Sequence, residues 1–148
     1  MRSDTQRRTI LLVDDNVDIR ALAKKLLERA GYSVAAAADG NEALRYYELH
    51  RSSIVLLLTD VMMPNMNGLE LAEHVLRIDS HLPVLFMSGN GDCVFRGLEC
   101  LGKPFRAAQL LERLNGLLGR NPRSERNGVR GRALAEALQV LERKSLPI

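Results

Sequence analysis

Asp14, Asp15, Asp60, Ser88 and Lys103 are the residues whose types and placement point to shared chemistry. Each follows an apolar run: Ile10 to Val13 leads into Asp14-Asp15, Ile54 to Thr59 into Asp60, Pro83 to Met87 into Ser88, and Cys100 to Gly102 into Lys103. A carboxylate at the rim of a buried strand is costly unless it has a partner or a task. Two carboxylates about 4 Å apart repel by about 4 kcal/mol at an effective dielectric near 20, so three of them demand compensation. A divalent cation is the economical answer, and Mg2+ suits because it takes oxygen ligands in octahedral array and keeps several waters. Three carboxylates, one Mg2+ and the Lys103 ammonium sum to zero. A phosphoryl group entering such a site would meet a metal, an ammonium, the Ser88 hydroxyl and backbone amides.

Convergence of these residues depends on the elements that carry them. Short apolar runs alternate with helical patterns through residue 118, the signature of strands and helices wound into a parallel α/β sheet. The strands are expected at Thr9 to Val13, Ser33 to Ala37, Ile54 to Thr59, Pro83 to Met87, and Cys100 to Leu101. Ile19, Leu22, Ala23, Leu26 and Leu27 recur at helical spacing, which predicts a helix from about Asn16 to Ala30 that stops at Gly31. Asp39 with Glu42 predicts a capped helix carrying Ala43, Leu44 and Tyr47 inward. Leu69, Leu71, Ala72, Val75 and Leu76 predict a third after Gly68, and Leu110 to Leu118 another ending near Gly119. Right-handed crossovers bring the C-terminal ends of parallel strands to one edge, where open α/β sheets build their sites.

Composition narrows the class. The 148 residues suffice for one domain and a short appendage, and 46% hydrophobic with 26% charged content is ordinary for a globular protein. No apolar run approaches a membrane span, and residues 1–8 read as a disordered segment with no signal core, so a cytoplasmic location is expected. Cys93 and Cys100 are then expected to stay reduced, and they make no zinc site. His50, His74 and His81 have no ligand spacing and read as solvated, while Met62, Met63 and Met66 read as loop and core packing. The net charge of +3 belongs to the tail: residues 1–118 hold 14 Lys/Arg against 15 Asp/Glu, and residues 119–148 hold 7 against 3.

The chain resembles a receiver domain of the two-component response-regulator family. The matching residues are Leu11-Leu12-Val13-Asp14-Asp15-Asn16, Asp60-Val61-Met62-Met63-Pro64 with Met66 and Gly68, Met87-Ser88-Gly89, and Lys103-Pro104-Phe105. The resemblance covers residues 9–118 and implies a flavodoxin-like, doubly wound, five-stranded parallel sheet in the order 2-1-3-4-5. It implies that Asp60 is the phosphoacceptor, charged by a histidine kinase or a histidine phosphotransfer protein, and that the protein is a signalling switch and no turnover enzyme. Asp15 would bind Mg2+ directly, Asp14 through water, and the Met62 backbone carbonyl and Asp60 would complete the protein ligands. Lys103 would pair with Asp60 and then with the phosphoryl oxygens, and Ser88 would close onto the phosphoryl group. The run from Leu82 to Gly89 also resembles receivers fused to hybrid histidine kinases, which suggests a relay or single-domain role.

Singly, Asp14 or Asp15 would read as a helix cap, Lys103 as a solvated loop lysine and Ser88 as a turn cap. Their joint placement favours the site. Two competing classes stay open: a vestigial receiver acting as an interaction module, and an aspartyl-phosphate hydrolase, which the Met62 side chain disfavours because such enzymes carry an Asp there.

Two departures from the family concern the output side. Ser88 and Lys103 are 15 positions apart, fewer than the family's usual spacing, and Gly89, Gly91 and Gly97 weaken helical periodicity, so the fourth helix is expected to be shortened or missing. Cys100 stands where the family commonly places a Tyr or Phe that rotates on activation. Phe95 could substitute for it, but reads more simply as a core anchor, so phosphorylation is expected to move the Gly89 to Gly102 segment instead. Residues 119–131 read as a basic linker and residues 132–148 as a segment with a helix from Arg132 to Lys144, striped by Leu134, Ala137, Leu138 and Leu141. So short a helix should dock on its own domain, a partner or a second copy, leaving a homodimer open. Nucleic acid is not an expected partner, since the tail lacks interleaved aromatics and a complete helix-turn-helix. The downstream partner is unknown from sequence.

Overall fold

Residues that must be dry on both faces form the middle of the sheet. The computed structural model describes residues 8–89, 97–119 and 132–139. The element order is β1 (Thr9–Val13), α1 (Val17–Arg29), β2 (Ser33–Ala37), α2 (Gly40–His50), β3 (Ile54–Asp60), α3 (Gly68–Ile78), β4 (Val84–Ser88), β5 (Cys100–Gly102) and α4 (Ala107–Leu118). A further helix is described at residues 132–139. The five strands are parallel in the order β2-β1-β3-β4-β5, as the family resemblance implied. β1 and β4 are buried along their whole length and β3 nearly so, which is why they read as continuous apolar runs. β2, at the edge, is rich in alanine and largely half-exposed.

Strand alternation divides the core into two layers. Ile10, Leu12, Leu56, Leu58, Leu85, Met87 and Leu101 face α1 and α4. Leu11, Val13, Leu57, Val84, Phe86 and Cys100 face the opposite way, against α2 and α3. The expectation of a shortened or missing fourth helix falls on residues 90–96, which with Cys93 and Phe95 lie outside the described residues. The helix at 132–139 buries Ala133, Leu134 and Ala137, the last two in the layer of α2 and α3. It therefore docks on its own domain. The expected continuation to Lys144 and most of the basic linker lie outside the described residues. No helix among the described residues is long and apolar enough to cross a membrane.

Cys100 corrects one expectation. It is disulfide-bonded, and the described residues contain no free cysteine. The expectation of reduced thiols rested on compartment, inferred from a polar N-terminus, and compartment says nothing about which sulfurs the fold brings within bonding reach.

Local chemistry fixes the helix starts beneath the site edge. Asn16 accepts from the amides of Asp18 and Ile19 and so begins α1. Asp39 caps α2 through Glu42 N–H, while the Glu42 carboxylate accepts from the Ala38 amide. Asn67 caps α3 in a reciprocal box with Glu70. The β3–α3 connection is tight: Asn65 adopts a left-handed φ of 71°, Gly68 N–H donates to Val61 O at 2.8 Å, and Met66 packs over Gly40. A Cβ on Gly68 would collide with the Asp60 backbone carbonyl. Gly68→Ala is therefore expected to destabilise the fold by about 2 kcal/mol or more, because the obstacle is backbone and cannot swing aside. Urea unfolding of the variant against wild type measures this.

Candidate functional site

The C-terminal edge of the sheet gathers the acids. Asp14 follows β1, and its backbone N–H donates to Ala37 O of β2, which fixes the turn against the neighbouring strand. Asp60 closes β3, where Val61 N–H donates to Met87 O of β4 and Thr59 Oγ1 donates to Asp60 O. The Asp60 backbone is thus held from two sides. Asp14 is fully buried, Asp60 is 7% exposed, and Asp15 is exposed at the mouth. Ligand oxygens of Asp14, Asp15 and Asp60 all lie within 4.8 Å of one another.

Lys103 enters from the end of β5, where its backbone N–H donates to Ser88 O at 2.8 Å and its peptide to Pro104 is cis. Its Nζ lies 2.8 Å from Asp14 Oδ2 and 3.3 Å from Asp60 Oδ1. The resemblance implied a pair with Asp60, and the ammonium is shared instead, with the shorter contact to Asp14. The other Asp14 oxygen accepts from Asn16 N–H at 2.9 Å. Ser88 ends β4 and is buried, and Met62 is 57% exposed beside Asp60 while Met63 turns inward. The five side chains singled out from sequence thus lie on one edge. The three histidines are exposed, as expected.

Burial pushes the Asp60 carboxyl up to about 6; Lys103 pulls it back, and Asp14 and Asp15 push it further up. One lysine does not offset three crowded acids. An all-oxygen donor set with a net negative charge fits a hard divalent cation such as Mg2+, which would relieve that repulsion.

Two contributors escaped sequence reasoning. Arg20, one turn into α1, donates from Nη1 to the Asp14 backbone carbonyl at 2.6 Å. A single arginine on an amphipathic helix has no pattern that distinguishes it from a solvated one. Asn67 did have a signal, since Asn followed three residues later by Glu70 is a capping pattern.

Two outcomes are expected. Arg20 acts as a positioning residue for the β1–α1 turn, so Arg20→Ala should weaken Mg2+ binding in calorimetric titration about fivefold, on the scale of one charge-assisted hydrogen bond, with Arg20→Lys recovering part. For Asp60, a raised folded pKa means the native state binds the extra proton between about 4 and 6, so its stability falls as pH rises through about 6. Without divalent cation, Asp60→Asn should be the more stable protein at pH 7.5 by about 1 kcal/mol after allowance for solvent screening. Denaturation at stepped pH should find that gap closing toward pH 4.

Comparison with known proteins agrees with this geometry. Residues 10–115 match the model of the response regulator receiver domain. The chain is 41% identical over 123 residues to the transcriptional regulatory protein CpxR of Escherichia coli K12, covering 78% of this chain and 51% of that protein. It is 35% identical over 125 residues to the DNA-binding response regulator MtrA of Mycobacterium tuberculosis, covering 80% and 54%. The chain thus spans about half the length of the curated relatives it matches. Among solved structures, a response regulator receiver domain protein from Clostridium thermocellum aligns with a TM-score of 0.70 at 30% identity, over 76% of this chain and 94% of that one. The receiver domain of the hybrid histidine kinase CckA aligns with a TM-score of 0.67 at 37% identity, over 74% and 98%. With its fold, acid cluster and sequence in agreement, the chain belongs to the response regulator receiver family.

Proposed function

We propose that this receiver is a phosphorylatable switch that takes a phosphoryl group on Asp60 from a histidine kinase or a histidine phosphotransfer protein. The observation that carries this reading is the shared ammonium: Lys103 Nζ sits between Asp14 and Asp60, within ion-pair distance of both. In this reading Asp15, Asp60 and the Met62 carbonyl would hold Mg2+, with Asp14 reaching it through water. The cation would supply charge compensation for the acids and for the phosphoryl oxygens.

The protein's own residues do the rest. Asp60, pinned through its backbone by Val61 N–H and Thr59, presents one carboxylate oxygen to the phosphorus of the phosphohistidine. The new O–P bond forms as the P–N bond breaks, and the imidazole nitrogen leaves with the electron pair. Lys103 shifts its contact from carboxylate to phosphoryl oxygen, and Ser88, at the end of β4, donates its hydroxyl to another. No turnover of an external substrate is involved, so the activity is self-phosphorylation and its hydrolytic reversal. The names of the full-length relatives describe transcriptional regulation and DNA binding in those proteins. This chain spans about half of each of those proteins.

Incubation with acetyl phosphate and Mg2+ should add the mass of one phosphoryl group to the intact protein, and chelation with EDTA should abolish the addition. Asp60→Asn should remain unlabelled. Equal labelling of that variant would remove Asp60 as the acceptor, and a wild type that never labels would favour the vestigial alternative.

A further inference from the structure

The buried polar side chains among the described residues are Thr9, Asp14, Thr59, Asp60 and Ser88. Asp14, Asp60 and Ser88 belong to the acidic edge, and Thr9 starts β1 at the opposite one. Thr59 is fully buried, and its register partners Val13 and Phe86 both belong to the apolar layer of α2 and α3. Laterally paired residues present their side chains to the same face, so the Thr59 hydroxyl stands among apolar groups. A valine would fill the same space with no hydroxyl to desolvate, and packing alone therefore favours valine at this position.

The hydroxyl is directed at one atom. Thr59 Oγ1 donates to Asp60 O at 3.0 Å. Because this bond runs from one side chain to the carbonyl of the next residue, it closes a ring through the Asp60 Cα and restrains both φ and ψ of Asp60. Those two angles, with the pairing of β3, set the direction of the Asp60 side chain. Gly68 faces the same two atoms, since a Cβ there would overlap Asp60 O and come within 3.2 Å of Thr59 Oγ1. On the following residue, Val61 N–H donates to Met87 O at 3.0 Å. The restraint matters because the carboxylate is crowded: Lys103 Nζ lies 3.3 Å from Asp60 Oδ1, and ligand oxygens of Asp14 and Asp15 lie within 4.8 Å. Repulsion from those acids drives the Asp60 carboxylate away from the cluster. A nucleophile misplaced by about 1 Å loses on the order of 100-fold in rate.

We propose that Thr59 is a positioning residue for phosphoryl transfer, its hydroxyl holding the Asp60 backbone so that the carboxylate keeps its line of attack on the phosphorus. The inference rests on the phosphoryl-switch reading above. Thr59 acts through Asp60 and takes no part in bond making.

Three variants separate the hydroxyl from the volume. Thr59→Val keeps the shape without the hydroxyl, Thr59→Ser keeps the hydroxyl without the methyl, and Thr59→Ala has neither. Each is incubated with acetyl phosphate at saturating Mg2+, under conditions where circular dichroism finds it folded, and the labelling rate is read by intact mass. The rates should group by hydroxyl: Thr59→Ser within about threefold of wild type, Thr59→Val and Thr59→Ala at least about tenfold slower. Urea midpoints should not follow that grouping, because Thr59→Ser loses a buried methyl and Thr59→Val does not. Should Thr59→Val fail to fold, the Thr59→Ser and Thr59→Ala pair decides, since those two differ in the hydroxyl alone. Thr59→Val labelling at the wild-type rate, or Thr59→Ser as slow as Thr59→Ala, would overturn the positioning role and leave the phosphoryl-switch reading standing. A wild type that takes no label would overturn both.

Discussion

Sharing of the Lys103 ammonium between two buried carboxylates is the constraint around which the rest of this structure is arranged. Asp14 is sealed from water and Asp60 nearly so, and burial pushes the Asp60 carboxyl up to about 6 even with the lysine beside it. Such a cluster persists only if its backbone is over-determined. β1 and β3 pair across five register positions, the Asp14 turn is held by Ala37, Asn16 and Arg20, and the Asp60 carbonyl region is closed in by Thr59 and Gly68. The apolar interior of the sheet thus serves as a rigid mount for a negatively charged rim. A site under that repulsion gains from any cation or electrophile that relieves it, which is the physical basis of the switch proposed above.

How much of this was legible in the sequence follows from what kind of force sets each feature. The central strands were legible because strands buried on both faces read as unbroken apolar runs; β1 and β2 were expected with the bounds the structure has. The site edge was legible because parallel strands with right-handed crossovers must present their C-terminal ends together, so Asp14, Asp60, Ser88 and Lys103 converge by topology alone. Strand order was not legible from pattern and came from family resemblance. Arg20 was invisible because its function depends on the three-dimensional path of the β1–α1 turn. The disulfide at Cys100 was misjudged because the inference ran through cellular compartment and not through geometry.

The output side departs most from a simple receiver. Leu134 and Ala137 of the helix at 132–139 share one apolar layer with Phe86 of β4 and Cys100 of β5. Sequence alone allowed that helix to dock on its own domain, on a partner or on a second copy, since amphipathicity defines a face without naming its complement. The observed docking brings Ala133 close to Gly97, just before β5.

The central claim, that Asp60 carries the phosphoryl group, is tested most directly by reducing the phosphorylated protein with borohydride. This reagent converts an acyl phosphate of aspartate to homoserine and leaves free carboxylates unchanged. Tandem mass spectrometry of the peptide spanning residues 54–66 should find homoserine at position 60, only after treatment with a phosphoryl donor in the presence of Mg2+. Homoserine at Asp14 or Asp15 with position 60 unchanged, or no conversion in a protein that has gained the phosphoryl mass, would contradict it.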